Sequence, residues 1–173
     1  QKIVMREVEN ILRQNDARNT TLFDPFHPYT GLNSVGRRAL VTISDFPIRQ
    51  QWLPYEMLRV PLIRLLIKYG SISEFITKHL NKEYTDELRQ GIIERITRIR
   101  IKHDFPFWAA TYTYIKNKGG GPDVLFRLTY PQRKLVARLE AMRLAGKPIR
   151  LIILKARQWG GSTTVQISMS WLQ

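Results

Sequence analysis

Residues 149–162 read Ile-Arg-Leu-Ile-Ile-Leu-Lys-Ala-Arg-Gln-Trp-Gly-Gly-Ser, and the expected fold depends on this stretch. Arg150 to Leu154 is rich in aliphatic residues, which is typical of a short strand buried on both faces in a parallel sheet. A loop with two glycines follows it. Ser162 to Leu172 then has apolar residues at helical spacing behind a Ser-Thr-Thr run that suits a helix start. Strand, glycine loop and helix in this order predict a phosphate-binding segment, because glycines and free N–H groups at a helix start favour anions.

The glycine loop departs from the usual G-x-x-x-x-G-K-[ST] pattern of nucleoside triphosphate sites. With Gly160 as the second glycine, Lys155 stands at the first position and Gly161 takes the place of the lysine. Ser162 falls where a magnesium-binding hydroxyl is expected. Lys155 could still reach the phosphates because its stem is flexible, and Arg157 could make the same contact through its guanidinium. The residues alone leave open an ordinary strand–turn–helix in which the two glycines form only the turn.

The segment from Lys155 to Thr163 resembles the variant loop Lys-x-Arg-Gln-x-Gly-x-[ST]-[ST] of the large terminase subunits of tailed phages. The resemblance also covers Phe105 to Leu139, where an aromatic cluster, a glycine-rich turn and a Tyr-Pro-Gln segment precede the loop at the family's spacing. Residues before about 100 match only in being helical. Terminases of this kind are motors that pump double-stranded DNA into empty capsids. The resemblance therefore implies an α/β fold in which a mostly helical N-terminal region leads into a P-loop ATPase domain of the RecA-like type.

This resemblance implies ATP and Mg²⁺ as cofactors and gives roles to particular residues. Lys155 and Arg157 would contact the phosphates as catalytic residues, and Ser162 would bind the metal ion. Gln132 lies 23 residues ahead of Lys155, where the family places the glutamine that recognises adenine. An amide can both donate and accept a hydrogen bond, as reading an adenine edge requires, and a tyrosine ring can stack on the base. The full nucleotide-binding set would be Tyr130, Gln132, Gln158, Trp159, Gly160, Gly161, Ser162 and Thr163.

Charge is unevenly distributed along the 173 residues, whose formal net charge is +14. Residues 1–86 hold 12 Lys and Arg against 9 Asp and Glu, whereas residues 87–173 hold 16 against 5. A polyanion such as nucleic acid is therefore expected to meet the second half. No apolar run approaches the roughly 20 residues of a membrane span, and no amphipathic helix has the apolar face of an interfacial binder. The absence of cysteine excludes disulfides and thiolate metal sites and fits an intracellular protein.

Residues 1–103 are expected to form a largely helical region and residues 104–173 the start of the ATPase domain. The scattered histidines do not suggest a metal site. The basic residues of the third long helix, Arg89, Arg95, Arg98 and Lys102, would form either a solvated face or a face that tracks phosphates. The aromatic cluster Phe105, Phe107, Trp108, Tyr112 and Tyr114 favours core packing over base stacking. The predicted elements are an amphipathic helix at Lys2–Gln14 packed on the body, a short strand at Ala39–Ile43, helices at Pro54–Tyr69, Ser71–Leu80, Thr85–Lys102 and Pro131–Gly146, and a strand from Val124.

The resemblance predicts that the chain is the N-terminal part of a phage terminase large subunit. Its start at Gln1 and its end directly after the loop helix suggest a fragment cut before a Walker B motif and any nuclease domain. Because phosphoryl transfer also needs that second acidic motif, we expect the fragment alone to be inactive and the full-length protein to be an ATPase, with or without endonuclease activity.

The expected partners are double-stranded DNA, the portal protein and the small terminase subunit, in a homo-oligomeric ring without a membrane. The expected location is the host cytoplasm, at the procapsid portal. Two alternatives stay open at this point. The first is a non-catalytic helical module that binds DNA or a capsid protein, and the second is another P-loop translocase or helicase that acts on nucleic acid.

Overall fold

The computed structural model describes residues 6, 9–14, 26–34, 36–117, 119–154 and 159–173, and the described part combines helices with two small antiparallel hairpins. In chain order the elements are β1 (Arg38–Thr42), β2 (Gln50–Pro54), a 3₁₀ turn (Met57–Arg59), α1 (Pro61–Tyr69), α2 (Ile72–Glu74) continued by a π-helical turn (Phe75–His79), α3 (Asp86–His103), α4 (Phe105–Tyr112), β3 (Tyr114–Ile115), β4 (Val124–Leu125), α5 (Tyr130–Leu144) and α6 (Gly161–Leu172).

Local sequence signals determine where the helices of the first half begin and end. Pro61 opens α1, where its missing N–H costs nothing, and Gly70 closes it in the left-handed conformation at φ 74°. The hydroxyl of Ser71 accepts a hydrogen bond from Glu74 N at 3.0 Å, and that of Thr85 accepts one from Leu88 N at 3.2 Å. These two contacts cap α2 and α3. The predicted helices are therefore confirmed, except that the one expected from Pro54 begins at Pro61.

The first hydrophobic core lies among the β1–β2 hairpin, α1, α2 and α3. The isoleucines of α3 at positions 92 and 96 are buried in this core, and Leu88 and Ile99 pack against it. The strand predicted at Ala39–Ile43 is confirmed as β1. It pairs with β2 from Arg38 opposite Pro54 to Thr42 opposite Gln50. Strand β2 was not predicted, because its segment has little periodicity and ends in a proline, a residue that is uncommon in strands.

A buried ion network joins the first core to the start of α4. Asp104 is 1% exposed. Its carboxylate accepts hydrogen bonds from both terminal nitrogens of Arg38, at 2.7 and 3.0 Å, and from Nε of Arg100 at 3.0 Å. Arg100 also donates to Gln51 Oε1 at 2.7 Å and to backbone carbonyls of the loop before β1. Burial raises the pKa of Asp104, but the charges and hydrogen bonds of the two arginines outweigh burial and leave the pKa lowered.

The second hydrophobic core is built from α4, the β3–β4 hairpin, α5 and α6. Phe105, Ala109, Phe126, Leu128 and Val136 form its buried centre. The indole of the tryptophan at position 171 packs against Phe105 and donates to the carbonyl of Ile101 at 2.7 Å, which attaches α6 to the end of α3. The buried residues of the first core thus lie before residue 103, and those of the second core lie after residue 104. The division of the chain into two domains at this point stays a prediction.

Two predicted features of the second half are corrected in part. Within the aromatic cluster, Phe105 and Phe107 are buried, but Tyr112 and Tyr114 are exposed. The strand expected from Val124 covers only the two residues of β4, and the buried Phe126 and Leu128 that follow it are not in a strand. The helix opened by Pro131 is confirmed as α5, with Gly146 in the left-handed conformation just after it.

The strand expected at Arg150–Leu154 is not formed. Residues 150–154 have no regular secondary structure and are exposed, with Ile152 at 96% and Leu154 at 100%. A buried strand of a parallel sheet takes its hydrogen bonds and its burial from strands on both sides, and both sheets of the described residues are isolated antiparallel pairs. The coarse expectation of an α/β chain is met. The expectation of a parallel-sheet strand is wrong for this structure.

The N-terminal helix is seen only in part. Arg6 and residues 9–14 are helical, as predicted, whereas the rest of Lys2–Gln14 lies outside the described residues. The side chains of Ile11 and Leu12 are exposed, so in its described part this helix does not pack on the body as expected. Among the helices of the described residues, none combines the length and the apolar character needed to span a membrane.

Candidate phosphate-binding loop

Two successive glycines form the turn before α6, and each is favoured for a different reason. Gly160 adopts φ 78° and ψ 18°, which is the left-handed region that side chains disfavour. A Cβ at Gly160 would lie 2.5 Å from Nε2 of Gln132, and a Cβ at Gly161 would lie 2.6 Å from Cζ2 of Trp159. The Gly-Gly pair is therefore required by backbone conformation and by close contacts. A lysine at position 161, as in the usual loop, would displace the tryptophan ring.

The start of α6 has the features of an anion site. The first N–H groups of a helix have no acceptor within the helix, and no side chain of the described residues caps the N-terminus of α6. Ser162 and Thr163 are exposed in this first turn. Thr164 is fully buried and turns inward, where its N and its hydroxyl both bind the carbonyl of Gly160 at 3.0 and 2.9 Å. The N–H groups before Thr164 are thereby left for an anion, which the helix dipole also favours.

Gln132 connects this loop to α5. Its Oε1 accepts from Thr129 N at 2.8 Å and its Nε2 donates to the carbonyl of Trp159 at 3.2 Å. The side chain is buried, with 5% of the residue exposed. The structure thus brings Gln132 next to the glycine loop, as the resemblance implies, but gives both ends of its amide a backbone partner. The role of Gln132 in recognising adenine stays a prediction.

Tyr130 is half-buried at the first position of α5. Its ring already has two cations nearby, with Arg133 Cζ at 5.7 Å and Lys134 Nζ at 5.3 Å from the centroid. A base stacked on this ring would have to share it with those side chains. The stacking role of Tyr130 also stays a prediction.

Lys155, Arg157 and Gln158 lie outside the described residues. The assignments of phosphate contacts to Lys155 or Arg157 therefore rest on the sequence alone. Of the predicted nucleotide-binding residues, those that the structure brings together are Gln132, Trp159, Gly160, Gly161, Ser162 and Thr163.

Arg133, the neighbour of Gln132 in α5, is a buried cation that sequence reasoning missed. It donates to the carbonyl of Leu128 at 3.1 Å and lies over the ring of Phe26, with Cζ 4.7 Å from the centroid. Burial lowers its pKa. Its Nε and the indole Nε1 of Trp159 are buried without a hydrogen-bond partner among the described residues. Such orphaned donors are rare in folded proteins, and the one on Trp159 belongs to the glycine loop. In the sequence, the only signal for Arg133 is its position next to Gln132.

Three of the four basic residues predicted to form a face of α3 are exposed. Arg95, Arg98 and Lys102 are exposed, whereas Arg89 is half-buried and donates to the carbonyl of Asp45 at 2.9 Å. Arg89 is therefore a structural contact. In the described ranges no three His, Asp or Glu side chains come together as a metal site.

The described groups at the glycine loop fit a phosphate better than they fit a metal ion alone. Among its described residues the loop offers N–H donors, exposed hydroxyls and one buried indole N–H without a partner, but no carboxylate. A metal ion here would need the phosphate itself as a ligand, with the hydroxyl of Ser162 beside it. Comparison of the chain with protein-family models, with curated proteins and with solved structures gave no match.

Proposed function

We propose that the chain binds Mg²⁺–ATP at the glycine loop and is the phosphate-binding part of an ATP-driven motor that moves double-stranded DNA, of the kind that the large terminase subunits represent. The observation that carries the proposal is the left-handed turn at Gly160 leading into an uncapped helix start at α6. Backbone N–H groups of residues 161–163 would hold the phosphates, because a helix N-terminus attracts anions through its free donors and its dipole.

Two cationic side chains would complete the loop in this proposal. Lys155 would reach the β- or γ-phosphate from the segment before the turn, and Arg157 is the alternative, since its guanidinium makes bidentate contacts with phosphate. Ser162 would supply one oxygen ligand for Mg²⁺ from the first turn of α6, where it is exposed.

The aliphatic residues 151–154 are the point at which the structure differs from a P-loop domain. In such a domain this segment is a strand between other strands, and its side chains are covered, whereas here they are exposed. Exposed apolar side chains grouped in this way usually mark a place that another element or a partner covers. The proposal therefore requires that another element or a partner cover residues 151–154.

Charge supports DNA as the polymer. Arg127, Lys134, Arg138 and Lys147 are exposed in the second half, in addition to the basic residues of α3. Such a surface attracts a polyanion through counterion release. In the proposed motor, the portal protein and the small terminase subunit would be partners of a homo-oligomeric ring in the host cytoplasm.

A second candidate function is a non-catalytic module that binds DNA, and one observation favours it. Arg95, Arg98 and Lys102 lie one helical turn apart on exposed positions of α3, so they could contact successive phosphates without any nucleotide. The two functions differ in whether the protein binds a small triphosphate saturably.

The experiment that tests the proposal is a titration of the 173-residue protein with Mg²⁺–ATP by calorimetry. We expect saturable binding that Lys155→Ala weakens by roughly 10- to 100-fold, the worth of a charge-assisted hydrogen bond. The matched control is Lys147→Ala, which removes the same charge from an exposed position and should change the affinity less than about twofold.

Three other outcomes would change the conclusion. Loss of binding in Arg157→Ala together with normal binding in Lys155→Ala would move the phosphate contact to Arg157. Binding by both variants at the level of Lys147→Ala would show that the loop is only a turn. Absence of saturable binding, combined with tight binding of duplex DNA that Arg98→Ala weakens, would favour the non-catalytic module.

A further inference from the structure

The amide of Gln132 is occupied on both sides by backbone groups. Its oxygen caps the first turn of α5 through Thr129 N, and its nitrogen holds the carbonyl of Trp159 in the loop 27 residues further along the chain. To read an adenine edge, the amide would have to offer one donor and one acceptor to the base. At 5% exposure it can do so only by rotating out and breaking both bonds.

The Trp159 carbonyl is the first of three neighbouring points at which the loop is fixed. The second is the Gly160 carbonyl, which Thr164 binds through its backbone and its hydroxyl. The third is Gly161, against which the ring of Trp159 lies so closely that a Cβ at position 161 would be 2.6 Å from Cζ2 of the ring. Of these three, only the contact of Gln132 with Trp159 joins the loop to another part of the fold.

The anchor at the other end of this contact is rigid. Gln132 lies in the first turn of α5, and the next turn of that helix buries Leu135 and Val136 in the second core. A loop held to such a helix keeps its N–H groups in one arrangement, so that less order has to be created when an anion binds. The left-handed turn at Gly160 is otherwise the most easily deformed part of the segment.

We infer that Gln132 is a positioning residue that holds the glycine loop in its anion-binding shape through the carbonyl of Trp159, and that it does not select the base. The part of this inference that concerns ligand affinity rests on the proposed function. It predicts that the site takes triphosphates as a class, since the groups arranged by Gln132 are N–H donors that meet phosphate oxygens.

The test compares two variants at position 132. Gln132→Glu keeps the acceptor for Thr129 N, and so keeps the helix cap, but it loses the donor to Trp159. Gln132→Met is close in size, loses both bonds and adds no charge. The control for the added charge is Gln166→Glu on the exposed face of α6. The unfolding midpoint of each variant shows whether it is folded.

The first measurement is independent of nucleotide. We expect faster hydrogen exchange of the Thr164 amide, which is bonded to the Gly160 carbonyl, and a shifted indole N–H signal of Trp159 in both Gln132 variants, with no change in Gln166→Glu. The protein has four tryptophans, and the Trp159 signal is identified by its loss in Trp159→Phe. Unchanged exchange and an unchanged indole signal in folded Gln132→Glu and Gln132→Met would overturn the inference.

The second measurement is the affinity for ATP, GTP and inorganic triphosphate, each with Mg²⁺. We expect Gln132→Met to weaken all three by the same factor, roughly 3- to 10-fold for one lost hydrogen bond. A loss confined to ATP would show that Gln132 reads adenine and would overturn the inference. If the unmodified protein binds no triphosphate, the proposed function fails, and the exchange measurement alone then decides whether Gln132 holds the loop.

Discussion

The starts of α2, α3 and α4 and the start of α6 after the glycine loop are built in opposite ways. The hydroxyls of Ser71 and Thr85 and the carboxylate of Asp104 cap α2, α3 and α4 by accepting from backbone N–H groups. By contrast, α6 follows Gly160 and has no side-chain cap among the described residues. A capped helix start is closed to ligands, whereas an uncapped one keeps its donors for a partner. Because α1 also lacks a side-chain cap, the physical reason for placing the ligand site at α6 is the combination of an open helix start with the left-handed turn at Gly160.

The first core and the region around the glycine loop also differ in the exposure of their apolar side chains. The aliphatic residues of α1 and α3 that face the first core are buried, whereas Ile152 and Leu154 are almost completely exposed. Other apolar side chains of the elements around the first core are exposed, including Leu40 at 48% and Ile67 at 41%, but less so than Ile152 and Leu154. The region around the loop leaves both kinds of group open, which is the pattern expected of a surface that binds.

The largest expected loss of stability from a single substitution comes from the buried ion network. Asp104→Asn would remove the only carboxylate that the described residues place against Arg38 and Arg100, and two buried guanidinium groups would then be uncompensated. We expect a loss of about 3–5 kcal/mol in the free energy of unfolding, or loss of the cooperative transition altogether. Urea unfolding followed by circular dichroism measures it.

The control for this prediction is the same substitution in an exposed pair. Asp123 contacts Lys116 at 3.0 Å, with the lysine side chain 91% exposed. Asp123→Asn should change the midpoint of urea unfolding very little, because exposed ion pairs contribute little to stability. A loss in Asp104→Asn as small as that in Asp123→Asn would mean that the network does not join the two cores.

Most helix boundaries could be predicted from sequence because their signals are local. Pro61, Gly70, Ser71, Thr85 and Pro131 each act within one helical turn of their own position. The network around Asp104 could not be predicted, since Arg38 lies 66 residues away and no periodicity relates the two. The same limit hid the partner of Gln132 in the loop.

Strands were predicted less well, for a physical reason. A strand is stable only with a neighbour, so the apolar run at 151–154 indicates a strand without supplying its partner. Conversely, β2 is a strand because β1 is beside it, although its own sequence is irregular. At the site, the two glycines and the helix start were found from local chemistry. Arg133 and the orphaned indole of Trp159 required the fold.

A smaller loss of stability is expected when the carboxylate that caps α2 in the first core is removed. Asp45 accepts from Ile72 N at 2.7 Å and from Ser73 N at 2.8 Å, so it satisfies two donors at the start of α2. Asp45→Ala should cost about 1–2 kcal/mol, the upper range for a lost cap. Asp86→Ala is the control, because this carboxylate lies exposed in the first turn of α3 and should cost only about 0.3–0.5 kcal/mol.

This contribution depends on pH in a defined direction. Burial raises the pKa of Asp45, but the backbone hydrogen bonds from Ile72 and Ser73 outweigh burial and lower it. Since the pKa in the folded state lies below the ordinary value of about 3.9, the stabilisation is complete above that pH and is lost as the pH falls further. The difference between Asp45→Ala and the unmodified protein should therefore be large at neutral pH and shrink below about pH 4. A constant difference would contradict the carboxylate role.

The smallest expected effect distinguishes an exposed segment from a buried strand. Ile152 is 96% exposed, so Ile152→Ser should leave the unfolding midpoint of this protein unchanged within error. If the segment were a central strand of the folded chain, the same substitution would cost about 2–5 kcal/mol, as for other buried aliphatic residues. The buried Ile92 of α3 provides the comparison, since Ile92→Ser should be strongly destabilising. A neutral result for stability, together with weaker self-association at high concentration, would identify residues 151–154 as a surface that is covered in an assembly. A large loss of stability would mean that the strand predicted from the sequence exists in solution.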